Sequence, residues 1–90
     1  MNEAQKNHSL ILGNRNRAEI CGVFSVGSFD EGQVVLETSL GVLTVDGHEL
    51  HIVRLDLDRG EVVIEGKICG VIYSDEEEKG RGRFFSRLVR

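Results

Sequence analysis

The residues best suited to chemistry in this 90-residue sequence are histidines, and two of them, His48 and His51, lie three positions apart. With Asp46 and Glu49 beside them they suggest a zinc site, because imidazole and carboxylate groups are common zinc ligands. This spacing brings two side chains together on a helix but places them on opposite faces of a strand. The surrounding sequence is strand-like and contains no CxxC or HExxH motif. We therefore interpret both histidines as solvated or turn-capping side chains.

The sequence also lacks motifs for nucleophilic or phosphate chemistry. No serine lies in a GxSxG elbow, and no GxxxxGK[ST] loop is present to cradle a phosphate. Asp56 and Asp58 form a carboxylate pair beside a predicted turn, and a solvated strand edge explains them better than an acid/base dyad. We therefore expect a protein that is not an enzyme and uses no cofactor.

The charge distribution gives the clearest functional signal. The net charge of the whole chain is −4, but residues 79–90 carry five basic side chains and no acidic one. The other 78 residues carry six basic and fifteen acidic side chains, a net charge of −9. The basic tail also contains apolar residues at the spacing of one face of a short helix.

We predict that this tail contacts an anionic membrane or a partner protein. The predicted contact residues are Lys79, Arg81, Arg83, Phe84, Phe85, Arg87, Leu88 and Arg90. The phenylalanines would enter the acyl boundary while the basic groups meet anionic headgroups. The alternative is a disordered, solubilising end. Nucleic-acid binding is disfavoured, because the acidic body would be repelled by phosphates.

The elements that position these groups are predicted to be strands. From Arg17 to Tyr73, β-branched and apolar residues occur in runs separated by glycine-containing turns about every 8–14 residues. Asp46-Gly47 is a strong type I′ turn signal, and Asp58–Gly60 predicts a further turn. Gly22 suggests a bend or bulge, and a parity change near Arg54 suggests another.

These signals predict an all-β fold, a small antiparallel meander, sandwich or roll of about five to seven strands. A short C-terminal amphipathic helix or a disordered basic tail follows it. We divide the chain into a disordered N-terminus (residues 1–7), a β domain (8–75), and a charged linker with the basic amphipathic tail (76–90). His8–Leu12 and the strand from Glu61 are predicted edge strands. Because unpaired edges invite pairing, we expect a homodimer or a higher assembly.

The location follows from segments that the sequence lacks. No apolar run approaches the ~18–20 residues of a membrane span, and the first residues lack the apolar core of a secretion signal. We therefore expect a cytoplasmic protein in a reducing compartment, where a disulfide between Cys21 and Cys69 is disfavoured. Free cysteines are most often buried, so we predict that both are small buried hydrophobic residues.

A set of strings in this sequence resembles the YabP/YqfC family of sporulation proteins, and most closely its YabP branch. The similarity covers about residues 8–90. The matching residues are His8–Leu12, Ser28–Asp30, Val35–Val45, Gly47–Ile52, Glu61, Ile64–Ile68, Tyr73–Asp75 and Phe84–Leu88. One departure from the family is a shortened charged linker, here Glu76–Arg83.

The resemblance implies a small β-rich protein of an endospore-forming bacterium that acts in the mother cell during spore development, with no known enzymatic activity. We therefore predict a non-enzymatic sporulation protein that binds itself, other sporulation proteins and, through its tail, an anionic membrane surface from the mother-cell cytoplasm. The alternative is a small ligand-, metal- or nucleic-acid-binding β module, in which a metal or ligand would be held by His48, His51 and a strand carboxylate.

Overall fold

The computed structural model describes residues 7–75, and all of its regular structure consists of antiparallel strands. The six strands are β1 (Ser9–Gly13), β2 (Arg17–Cys21), β3 (Val23–Asp30), β4 (Gln33–Thr38), β5 (Gly41–Asp56) and β6 (Glu61–Ser74). They form one sheet in the order β1-β2-β6-β5-β4-β3. The predicted all-β class and antiparallel arrangement are confirmed. The predicted tail helix lies outside the described residues.

The sheet is rolled, because its two longest strands change partners halfway along. The start of β5 pairs with β4 and with the end of β6, whereas the end of β5 pairs with the start of β6, which in turn pairs with β2. Register shifts at Asp46/Gly47 and between His48 and His51 mark the bend. Gly66, with φ of +137°, lies opposite this bend, and a Cβ there would lie 2.6 Å from the Glu49 carbonyl oxygen. The backbones therefore approach each other where only glycine fits.

A single residue, Gly22, joins β2 to β3, although these strands occupy different ends of the sheet. Its φ is +78°. The Val23 amide donates a hydrogen bond to the Gly60 carbonyl (3.0 Å), and the Ser39 amide donates one to the Gly22 carbonyl (3.0 Å). The turns that precede β5 and β6 therefore both lie against this junction, which confirms the predicted bend at Gly22.

The core lies inside the roll and draws on five of the six strands. Val34 and Leu36 are fully buried and Thr38 is nearly so, as the alternation in β4 requires. The complete buried cluster is Ala18, Ile20, Val23, Val34, Leu36, Leu43, Val45, Leu50, Val62, Ile64 and Ile68. Leu10 of β1 packs against it from the edge of the sheet.

Two predictions about the strands are wrong. Asp46-Gly47 is not a turn but lies within β5, where Gly47 approaches the Lys67 carbonyl oxygen too closely for any Cβ. The glycine serves the bend of a paired strand, not a chain reversal. The strand from Glu61 is not an edge strand, because β6 lies between β2 and β5.

The prediction for the cysteines is also wrong, since Cys21 and Cys69 are both exposed. Each follows a buried isoleucine, Ile20 and Ile68, that faces the core. Successive side chains in a strand point to opposite faces. Each cysteine therefore points away from the core, however apolar its neighbours are.

Candidate functional site

The contact residues predicted in the basic tail all lie outside the described residues, so the structure places none of them: Lys79, Arg81, Arg83, Phe84, Phe85, Arg87, Leu88 and Arg90. Within residues 7–75 the structure contains no helix long and apolar enough to span a membrane. We therefore look for a candidate site on the surfaces of the β domain, which the structure describes.

The histidine pair lies at the bend of β5. His48 pairs with Lys67 of β6, whereas His51 pairs with Glu65. The His51 Nε2 atom lies 3.9 Å from a Glu65 carboxylate oxygen. Among the described residues, no group of three or more histidine, cysteine, aspartate or glutamate side chains is arranged to hold a metal ion.

Exposed ion pairs cover the outer face of β2, β6 and the end of β5. Arg17 pairs with Glu19 (3.1 Å) and with Glu65, and Arg54 pairs with Glu61 (3.2 Å). The hydrogen bonds to Glu19 and Glu65 raise the pKa of Arg17. Because each of these arginines already has a carboxylate partner, this face of the described strands offers no unpaired cluster of one sign for a charged ligand.

A cleft of about 630 Å³ opens beside the turn between β1 and β2. Asn14 and Arg15 lie in that turn with positive φ of 49° and 55°, and the Asn16 amide donates a hydrogen bond to the Gly13 carbonyl (2.9 Å). Arg15 is held in place, since its Nε donates to the Ile68 carbonyl (3.1 Å) and its own carbonyl accepts from the Ile68 amide (2.8 Å). The turn therefore fastens the hairpin to β6, a role that the sequence did not reveal.

The most distinctive surface is the unpaired side of β1, which we call the β1 edge. Among residues 7–75, Ser9–Gly13 is the outermost strand of the sheet and pairs with β2 alone, through five successive residue pairs without a register shift. Although it is short, it carries no charge, no proline and no bulge, which are three of the means by which proteins protect a sheet edge. Ile11 is 61% exposed and Leu12 is 44% exposed. The prediction that this segment forms an edge strand is confirmed.

Two other strand sides without a partner among the described residues are less suited to pairing. The outermost strand at the far end, β3, has register shifts between Val23 and Ser25 and between Val26 and Ser28. Such irregularities interrupt the ladder that an added strand needs. The end of β5, unpaired on its side away from β6, has a register shift beside Arg54.

A polar contact fixes the chain as it enters β1. The His8 ring hydrogen-bonds the Cys21 carbonyl through Nδ1 (2.8 Å) and the Tyr73 hydroxyl through Nε2 (2.6 Å). The two rings meet edge to face, with centroids 5.5 Å apart. Partial burial raises the pKa of the Tyr73 phenol. This contact ties the start of β1 to the end of β6 and so holds the β1 edge in place.

Comparison with known proteins adds a biological setting to this geometry. A sequence model of the YabP family matches residues 4–80. The chain is also similar to "Spore protein YabP" of Bacillus subtilis (strain 168). The two are 36% identical over 84 residues, which cover 92% of this chain and 84% of the relative. The family resemblance predicted from the sequence is confirmed.

Proposed function

Because the chain belongs to the YabP family, its role is related to sporulation, and we propose that it fills this role by binding proteins and not by catalysis. The observation that carries the proposal is the β1 edge. It combines a regular, uncharged strand with exposed Ile11 and Leu12 side chains. The relative's name describes a spore protein and mentions no reaction.

Strand addition explains how such an edge acts. A row of unpaired amide and carbonyl groups accepts an extended segment from another chain, and side chains on alternating positions select the partner. In this protein Ile11 points to one face of the sheet and Leu10 and Leu12 to the other, since they lie opposite Glu19, Ile20 and Ala18 respectively. A bound strand would therefore meet apolar side chains on both faces.

The proposal also names the cellular compartment and the class of partner. We propose that the protein works in the mother cell, in contact with itself and with other sporulation proteins. The family resemblance supports the setting, and the β1 edge supports the mode of contact.

Genetic complementation tests the role and the surface together. The gene is deleted in its own sporulating host, and heat-resistant spores are counted after complementation with the wild type, Ile11→Asp or Leu55→Asp. Leu55 is a matched control, because it is an aliphatic strand residue of similar exposure, 51% against 61%, on β5. A charge at Ile11 opposes strand addition. We expect spore counts to fall on deletion and to recover with the wild type and Leu55→Asp but not with Ile11→Asp.

Two outcomes of that experiment contradict the proposal. Unchanged spore counts in the deletion strain would contradict the sporulation role. Full recovery with Ile11→Asp would show that the β1 edge is not the contact surface. Immunoblots show whether each variant accumulates, and circular dichroism of the purified variants shows whether each is folded.

A second contact, between the basic tail and an anionic membrane, is supported by the charge boundary after residue 78. Each basic residue near such a surface contributes about 1 kcal/mol, so five give at most ~5 kcal/mol and binding is reversible. Co-sedimentation with vesicles of mixed anionic lipid tests this contact. We expect deletion of residues 79–90 to abolish binding and Phe84→Ala/Phe85→Ala to weaken it. Binding that survives the deletion would rule out the tail as the anchor.

A further inference from the structure

We infer that the β1 edge pairs with the β1 edge of a second copy of this chain, in antiparallel register, about a two-fold axis at Ile11. The inference rests on the proposed function, in which this edge is the contact surface, and names the partner. It follows from the residue order of the strand and from the faces on which its side chains lie.

The strand is complementary to itself. Its sequence is Ser-Leu-Ile-Leu-Gly, which reads small, leucine, isoleucine, leucine, small in either direction. When two such strands pair antiparallel about Ile11, Ile11 faces Ile11 of the second copy, Leu10 faces its Leu12, and Ser9 faces its Gly13. No charge meets a like charge, and aliphatic side chains pair at all three central positions.

The faces of the sheet match in the same arrangement. Leu10 and Leu12 lie opposite Ile20 and Ala18, which are core residues, so they belong to the inner face of the roll. The Leu10–Leu12 contacts would therefore continue the apolar layer of one copy into that of the other. Ile11 lies on the outer face and would be covered by its own counterpart across the axis.

Two-fold pairing also explains why such an edge would not form fibres. Each copy uses the same strand, so the contact is isologous and closes at two copies. Further growth would need the opposite edge of the sheet, β3, where two register shifts interrupt the ladder. Because β1 has five residues, the pairing is short and we expect a reversible dimer.

The effect of salt distinguishes β1 pairing from an association in which the basic tail of one copy binds the acidic body of another. The described residues carry five basic and eleven acidic side chains, whereas β1 carries none. Salt screens the repulsion between two acidic bodies, so added salt would strengthen β1 pairing. Salt would weaken a contact between the basic tail and an acidic body.

Cysteine cross-linking tests the register. Both native cysteines, Cys21 and Cys69, are exposed and are first replaced by serine in the full-length chain. Ile11→Cys then places two thiols across the axis, with Cβ atoms about 4.5–5.5 Å apart, close to disulfide range. Ser9→Cys is the matched control on the same face of the strand, since the two Ser9 positions lie four residues out of register, about 13 Å apart. We expect a cross-linked dimer under mild oxidation with Ile11→Cys and none with Ser9→Cys, and equal or no cross-linking of the two would overturn the register.

Sedimentation equilibrium of the full-length protein gives a second, independent measurement. We expect Ile11→Asp to raise the dimer dissociation constant at least about tenfold, because two carboxylates then oppose each other and two isoleucines are lost. Leu55→Asp should leave it unchanged, and salt should lower it. A wild-type protein that stays monomeric at several hundred micromolar would overturn self-pairing. If the wild type were monomeric and Ile11→Asp still failed to restore spore counts, the β1 edge would bind a different partner and the proposed function would stand.

Discussion

Replacing Gly66 by alanine tests the bend on which the whole roll depends. At φ of +137° an alanine is strained by about 1–3 kcal/mol. Its Cβ would also lie 2.6 Å from the Glu49 carbonyl oxygen and 2.8 Å from the Leu50 Cα. Both atoms are backbone, so β5 must shift, at a cost of about 1–3 kcal/mol for an overpacked site. We expect a loss of about 2–6 kcal/mol in the free energy of unfolding.

Urea unfolding followed by far-ultraviolet circular dichroism measures this loss, and thermal unfolding should show a midpoint at least about 8 °C lower. Gly70→Ala is the control, because Gly70 lies on the same strand, lacks a positive φ and has open space where an alanine Cβ would lie, with no atom of residues 7–75 within 4 Å apart from its own residue and its chain neighbours. Alanine there should be neutral or stabilise by up to about 1 kcal/mol through the unfolded chain. If Gly66→Ala and Gly70→Ala unfolded at the same urea concentration, the explanation of the bend by backbone approach would be refuted.

Three further predictions concern the core, the phenol and the thiols. Leu50→Ala should lower the free energy of unfolding by about 2–5 kcal/mol, because Leu50 is 1% exposed, whereas Leu55→Ala should cost less than about 1 kcal/mol; equal losses in urea titrations would contradict the assigned core. Tyr73 is the one tyrosine in the chain, and burial raises its pKa, so tyrosinate absorbance at 295 nm should appear at higher pH in the folded protein than in urea. Because the folded state holds this proton more tightly, the associated stability is present below the unfolded pKa of about 10 and is lost as pH rises through the folded pKa; a folded midpoint at or below the unfolded one would disprove the sign. Cys21 and Cys69 should both react with a thiol reagent in the native protein, and protection of either until denaturant is added would contradict its exposure.

Local patterns in the sequence were enough to predict the strand class and several turns. Val34, Leu36 and Thr38 share one face by their alternation in the sequence, and the structure buries that face, because a strand repeats every two residues. Asp58–Gly60 does form a turn, and a register shift does lie beside Arg54. These features depend on residues close in sequence, so local patterns are sufficient to find them.

Features that depend on distant residues were not accessible in this way. Asp46-Gly47 has the residues of a tight turn, yet β6 pairs with β5 on both sides of it and carries the strand through. The edge position of β1 was predictable from its short apolar run. The interior position of β6 was not, because its neighbour β2 lies more than forty residues earlier in the chain.

The single-residue link at Gly22 has a consequence for how the chain reaches this structure. Strands β3 to β6 pair with their neighbours in sequence, so hairpins of low loop-closure cost can assemble them in turn. Pairing of β2 with β6 joins Ala18 to Ile64, across 46 positions, and such long-range contacts slow folding. Ala18 leaves the ribosome first but finds its partner only after Ile64 has been made. Until β2 pairs with β6, one side of β6 has no partner strand. Because unpaired strand edges aggregate, the newly made protein avoids aggregation only if β2 pairs with β6 soon after Ile64 is made.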